Sequence, residues 1–182
     1  MLTRLEFIRK YKEAAIQNSR HNMFPSVLIA QAILESNTGN SILASEYNNL
    51  FGVKASKDWT GKTVNLQTRE VFSGQETFIK DNFRVYSDPG ESFRDRVQFL
   101  KDNPRYEKVF YATTPQEQAE LLQSAGYATD PNYAESIIDI IEQYDLTDID
   151  KTKQIMKKLD YAVILMAALI IVVATWYKIF KY

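Results

Sequence analysis

The stretch from Val27 to Leu34 constrains this chain more than any other. It reads Val-Leu-Ile-Ala-Gln-Ala-Ile-Leu, apolar almost all round. A helix of that kind has no face to give to water and belongs at the centre of a fold. Pro25 stands where a first helical turn tolerates proline. Glu35-Ser36-Asn37-Thr38-Gly39 follows, and Gly39 is a natural stop. The remaining elements must wrap around this helix.

Their outlines are readable. Apolar residues at positions 2, 5, 8, 11 and 15 predict an amphipathic helix over residues 2–18. Thr63 to Phe72 favours a strand and Phe78 to Tyr86 another, with Ser73-Gly74-Gln75 as the turn of a hairpin. Three further helices are predicted to start at Asp88-Pro89, Thr114-Pro115 and Asp130-Pro131. Each offers a capping oxygen before a proline, and the first two add Glu91 and Glu117 three residues on. Phe93, Val97 and Leu100 make one buried stripe; Ala134, Ile137, Ile138, Ile141 and Tyr144 make another. The predicted class is α+β: a mostly helical domain with one inserted β-hairpin. A length of 182 residues suits one such domain and a short appendage.

The appendage is the C-terminal stretch. Tyr161 to Tyr177 holds Thr175 as its one clearly polar residue. With Leu159 and Ile179-Phe180 it is long enough for a ~30 Å hydrocarbon core, with Asp160 and Lys178 snorkelling to the interface. Tyr161, Trp176, Tyr177 and Tyr182 fall where interfacial aromatic belts sit. The expectation is a domain over residues 1–146, a charged, solvated tether over 147–158, and one transmembrane helix over 159–180 that enters a lipid bilayer. The N-terminus lacks the apolar run of a secretory signal. Four lysines precede the span (Lys151, Lys153, Lys157, Lys158) and two follow it (Lys178, Lys181). That asymmetry favours a cytoplasmic N-terminal domain.

Composition narrows the chemistry. Lys and Arg number 22 against 23 Asp and Glu, a formal net charge of −1. A nucleic-acid partner usually needs a basic face, so none is expected. Cysteine is absent, which removes disulfides, thiol nucleophiles and thiolate metal sites. His21 is the single histidine. Ser19 and Ser26 lie near it in sequence, but nothing like a nucleophile elbow surrounds either, and His21 reads as a helix-end or surface residue. No phosphate loop and no calcium loop occurs, so no cofactor or metal is implied. The sequence gives no oligomeric state.

Glu35 is the foremost chemical candidate. A carboxylate at the end of an apolar helix is partly desolvated, and its ionised form faces the negative end of the helix dipole. Both effects raise its pKa. A carboxylic acid kept protonated near neutral pH is what general-acid chemistry requires. The alternative is a Glu simply exposed where its helix ends.

The residues around it carry a resemblance. Leu28-Ile29-Ala30-Gln31-Ala32-Ile33-Leu34-Glu35-Ser36, Gly39, and Asn48-Asn49-Leu50-Phe51-Gly52-Val53-Lys54-Ala55 resemble glycoside hydrolase family 73. Phe83-Arg84-Val85-Tyr86, Asn103-Pro104-Arg105-Tyr106 and Ala125-Gly126-Tyr127-Ala128-Thr129-Asp130-Pro131-Asn132-Tyr133 continue the match in the family order, over roughly residues 7–146. This family comprises bacterial and phage N-acetylglucosaminidases. The resemblance implies a lysozyme-like fold that cuts the β-1,4 glycan strand of peptidoglycan, with Glu35 as general acid. The residue inventory agrees: one His and no Cys disfavour the zinc amidases, zinc peptidases and Cys–His peptidases that also attack cell walls.

The resemblance also places Glu70, within Thr68-Arg69-Glu70-Val71, where family members carry a hairpin carboxylate. Glu70 would activate water as a base. The open alternatives are a surface Glu paired with Arg69 or Lys80, or assistance by the sugar's own acetamide. By resemblance Tyr127 lines the cleft near the acid, and Asn48, Phe51 and Tyr133 line its wall. Trp59, in a loop after Lys54, is either a stacking platform for sugar or a hydrophobic anchor. Many relatives place an aromatic residue shortly after Glu35; here Asn37-Thr38 stands there. A lytic transglycosylase or muramidase, and a wall-binding structural protein, are the other readings. The setting is a bacterial inner membrane or the membrane of a phage virion.

Overall fold

Reciprocal capping starts the first helix. Thr3 accepts from Glu6 N at its hydroxyl, and Glu6 Oε2 accepts from Thr3 N at 2.8 Å, so α1 runs Arg4–Asn18. The structure, a computed structural model, describes the backbone of residues 1–72 and 75–180 and the side chains of residues 1–68 and 78–173. The central helix α2 spans Pro25–Glu35, and its residues from Pro25 to Ile33 are all buried. Helix α3 (Ile42–Tyr47) follows, then strands β1 (Thr63–Phe72) and β2 (Gln75–Arg84), paired antiparallel in a two-stranded sheet. Helix α4 (Pro89–Asp102), a 3-10 helix (Pro104–Tyr111), α5 (Pro115–Ser124), α6 (Tyr133–Gln143) and α7 (Thr147–Phe180) complete the chain. The fold is mostly helical with one small sheet, as the sequence predicts.

Several boundaries differ from the reading above. Gln75 pairs with Phe72, so β2 starts three residues before Phe78 and ends at Arg84; residues 73 and 74 lie outside the described residues. Asp88 and Thr114 cap α4 and α5 through Glu91 N and Glu117 N. Asp130 does not start a helix. Its carboxylate accepts from Asn132 N at 2.9 Å, a local turn, and α6 begins at Tyr133.

α1, α5, α6 and α7 pack against α2, α4 packs on α1, and Phe7, Leu28, Ile29, Phe93, Leu100, Leu122 and Ile137 form the fully buried centre. Asn49, 1% exposed, ties the sheet to the helices. Its Nδ2 donates to Val53 O and Arg84 O, and its Oδ1 accepts from Val53 N.

Residues 147–158, expected as a solvated tether, are the first turns of α7; α7 packs against α1 and α2, while residues 154–158 stay exposed. Ile149 and Asp150 are buried. Asp150 accepts from Ser26 N at 2.9 Å and Ser26 Oγ at 2.7 Å, which places a carboxylate at the α2 N-terminus. Lys153 Nζ donates to Met23 O at 2.7 Å. Between Tyr161 and Val173 the large apolar side chains of α7 stand exposed, Leu165 at 69% and Ile170 at 68%. Among the described residues no helix is long and apolar enough to cross a membrane. The apolar run whose side chains are described, 161–173, is about 20 Å of helix. The rest of the expected span, through residue 180, has side chains outside the described residues.

Candidate active site

Glu35 is the last residue of α2, and a tight turn holds it there. Asn37, Thr38 and Gly39 take left-handed backbone angles in succession, with φ of 50°, 58° and 75°. Thr38 N donates to Ile33 O at 2.8 Å, and Gly39 N to Ser36 Oγ at 2.6 Å. A left-handed β-branched residue such as Thr38 is costly, and such strain gathers where structure over-determines a position. Asn40 secures the turn, its side chain bonding Leu2 N, Leu2 O and Asn37 O.

Two tyrosines meet the carboxylate. Tyr133 Oη donates to Glu35 Oε1 at 3.1 Å and accepts from Gln31 Nε2 at 2.8 Å. The Tyr127 hydroxyl stands close enough to Glu35 to interact with its carboxylate. Their rings pack at 5.3 Å between centroids, and Tyr106 stands 6.2 Å from Tyr127. The Glu35 side chain is open to solvent, yet protein crowds its carboxylate from several sides. Desolvation therefore dominates and raises its pKa; the Tyr133 hydrogen bond, the charge of Arg96 and the nearby Tyr127 hydroxyl pull the other way. The Tyr127 phenol is pushed up to about 12 by burial, so it stays a neutral donor. Burial pushes Tyr133 up as well.

The structure thus brings Glu35, Tyr127 and Tyr133 together. Glu70 lies in β1 opposite Thr77, and its side chain is outside the described residues. Asn48 and Phe51 take structural places. Asn48 ends α3 in a left-handed conformation, its Nδ2 donating to Tyr86 O at 3.2 Å. Phe51 is 5% exposed, its ring edge-on to Phe93 at 5.5 Å, so it offers no face to a sugar. Trp59 sits at the sheet's base, where the Arg84 guanidinium lies over its ring at 4.4 Å and its Nε1 donates to Lys62 O. With Tyr86, His21 and Arg94 it lines a cavity of about 590 Å³ whose walls do not include Glu35. His21 is exposed, Ser19 bonds Ile16 O and Ser26 bonds Asp150, so no Ser–His pair forms. Among the described residues no His, Cys, Asp and Glu cluster is arranged to hold a metal ion.

Gln31 and Arg96 are the site residues that the sequence reading passed over. Gln31 interrupts an apolar helix one turn before Glu35, hence on its face. Arg96 interrupts the Phe93–Val97–Leu100 stripe and is 1% exposed. A polar residue inside a buried stripe was the available signal in both cases.

Comparison with known proteins identifies the family. Residues 11–146 match the family described as glucosaminidase, mannosyl-glycoprotein endo-beta-N-acetylglucosaminidase. The exo-glucosaminidase LytG of Bacillus subtilis is 42% identical over 152 residues, 81% of this chain and 53% of LytG. The chain therefore spans about half the length of that relative. The catalytic domain of the Listeria monocytogenes autolysin Auto superposes with a TM-score of 0.72 at 34% identity, covering 81% of this chain and 87% of that domain. The glycoside hydrolase domain of Salmonella typhimurium FlgJ does so with a TM-score of 0.68 at 33% identity, covering 88% of this chain and 99% of that domain. The chain belongs to the glucosaminidase family of glycoside hydrolases.

Proposed function

We propose that the chain is a peptidoglycan hydrolase that cuts the β-1,4 glycan strand after N-acetylglucosamine, with Glu35 as general acid. The observation that carries this reading is the Glu35 carboxyl at the end of a buried helix, partly desolvated, hydrogen-bonded by the Tyr133 phenol and with the Tyr127 phenol beside it. Membership of the glucosaminidase family supports it. The protonated carboxyl gives its proton to the glycosidic oxygen as the carbon–oxygen bond breaks, and the two phenols then stabilise the carboxylate left behind. The anomeric carbon is closed either by water, with Glu70 as base, or by the substrate's acetamide oxygen, with Tyr127 holding either in place.

Glu35→Gln should abolish release of muropeptides from purified sacculi while leaving the fold intact. Undiminished digestion would remove Glu35 from the role. Mass spectrometry of the products fixes the bond: N-acetylglucosamine at the new reducing end supports the reading, and a 1,6-anhydro muramic product makes the chain a lytic transglycosylase. Release of nothing, with binding retained, makes it a wall-binding module. Loss of activity in Glu70→Gln selects the base over acetamide assistance.

We further propose that residues 159–180 anchor the protein in a bilayer, at a bacterial inner membrane or in the membrane of a phage virion. The support is α7 itself. It is continuous from Thr147 to Phe180, and its described side chains beyond Asp160 are apolar on every face and exposed. A helix apolar all round suits lipid better than a one-sided protein groove. The full chain should float with phospholipid vesicles in a density gradient, and a Leu165→Lys, Ile170→Lys double variant should not. Flotation of both would overturn the anchor.

A further inference from the structure

Arg96 presents a physical problem. Its side chain is 1% exposed, and among the described residues none of its Nε, Nη1 and Nη2 atoms has a hydrogen-bond partner. Burying a cation without a partner is expensive, and an apolar side chain of similar volume normally packs there at no such cost. What surrounds the guanidinium is aromatic: the rings of Tyr127, Phe51 and Phe99 lie at 4.2, 5.7 and 5.9 Å from its centre. Such faces attract a cation but do not satisfy its N–H groups. The nearest of the three belongs to Tyr127, whose ring packs 5.3 Å from that of Tyr133, the tyrosine that bonds Glu35.

We propose that Arg96 is a positioning residue for Glu35: it fixes the Tyr127 ring from behind and supplies a permanent positive charge close to the acid. This rests on the reading of Glu35 as general acid. The charge serves the moment at which the proton leaves. Glu35 O–H transfers its proton to the glycosidic oxygen, the carbon–oxygen bond breaks, and a carboxylate remains where burial disfavours one. A fixed cation beside the acid stabilises that carboxylate without reorganising. Arg96 is close enough to act on Glu35 electrostatically, and it does so without a direct hydrogen bond. It therefore does not lock the acid in an ion pair, which would hold it ionised and useless. The groups that face Glu35 are Tyr133 from α6, Tyr127 from the α5–α6 segment, and Arg96 from α4. The two tyrosines are neutral, so Arg96 is the fixed charge of the set.

The test uses the full chain with Arg96→Met and Arg96→Lys, and Glu35→Gln as the inactive control. In Arg96→Met the loss of the cation should move the alkaline limb of the kcat/KM profile to higher pH. Turnover at neutral pH should fall at least tenfold, with a melting temperature no lower than the parent's. Arg96→Lys keeps the charge and should return the limb toward its original place. Titration of the Glu35 carboxyl by 13C NMR reads the same displacement without turnover, so it judges Arg96 even if the chain proves not to cut glycan. An unmoved Glu35 titration in Arg96→Met overturns the proposal, as does an Arg96→Lys profile identical to that of Arg96→Met. Where Arg96→Met does not fold, Arg96→Gln removes the charge for the same comparison.

Discussion

Tyr133 joins the middle of α2 to its end: its hydroxyl donates to Glu35 Oε1 at 3.1 Å while accepting from Gln31 Nε2 at 2.8 Å. One phenol thus serves two residues a single helical turn apart. Tyr133→Phe removes both bonds. The donor to Glu35 stabilises its ionised form, so its loss raises the Glu35 pKa further. The alkaline limb of activity should move up. Gln31, 0% exposed, loses its Nε2 acceptor, and its Oε1 already lacks a partner among the described residues. A buried amide left so costs about 1–3 kcal/mol. Urea unfolding and the pH–rate profile should therefore both change; a shift in only one would separate the packing role from the acid–base role.

The raised pKa of Glu35 carries a stability prediction that needs no substrate. Burial raises the folded-state pKa above the ordinary value of 4.5. The folded protein therefore holds this proton more tightly than the unfolded chain does. The associated stability is fully present below pH 4.5 and is lost as pH rises through the folded-state value. Glu35→Gln mimics the protonated form at every pH. It should melt higher than the parent at pH 7 and converge with it near pH 4. A parent that melts higher at pH 7 would show the carboxylate to be stabilised in place, against the acid role.

Asp150 and Ser26 couple the last helix to the central one. Asp150 is 6% exposed, and burial raises its pKa while the two Ser26 bonds and the charge of Lys153 oppose that rise. Lys153 is in turn pushed down to about 8, chiefly by burial. Asp150→Ala strips the acceptor from a buried backbone N–H at the start of α2 and should cost about 1–3 kcal/mol. Asp150→Asn retains one acceptor and should lose less. Chemical denaturation of the two variants ranks them, and equal losses would mean that the charge, not the bond, is what matters.

How much of this was legible beforehand depended on whether the signal was local. The caps at Asp88 and Thr114, the apolar α2 and the antiparallel strand pair are local patterns, and each of these formed. The family resemblance places Phe51 on the wall of a cleft. Its burial against Phe93 comes from a contact between distant segments that no spacing displays. Residues 147–158 looked like a tether because alternating charges solvate well. Yet Ile149 and Asp150 lie one helical turn from Lys153, and all three find partners on distant parts of the chain. Arg96 carries a local signal, a charge inside the Phe93–Val97–Leu100 stripe, but only its burial shows that it faces inward.

Gly39 and Gly52 separate two reasons for glycine. Both have positive φ, 75° and 61°. A side chain at Gly52 meets nothing within 4 Å, whereas a Cβ at Gly39 falls 2.9 Å from Phe7 Cδ2 and 3.5 Å from Leu2 Cδ1. Gly52→Ala therefore bears only the left-handed conformational cost, about 1–2 kcal/mol. Gly39→Ala bears that cost and a clash with a ring that is 0% exposed and cannot retreat without disturbing the core. Overpacking of this kind adds about 1–3 kcal/mol. The displaced backbone is the turn that follows Glu35, so the acid moves with it. Gly39→Ala should be the more destabilised in thermal melts. It should also lose turnover at temperatures where it is still folded, while Gly52→Ala keeps parental turnover. Equal melts for the two variants would show that Phe7 yields without cost, and that the turn holds Glu35 less firmly than its hydrogen bonds imply.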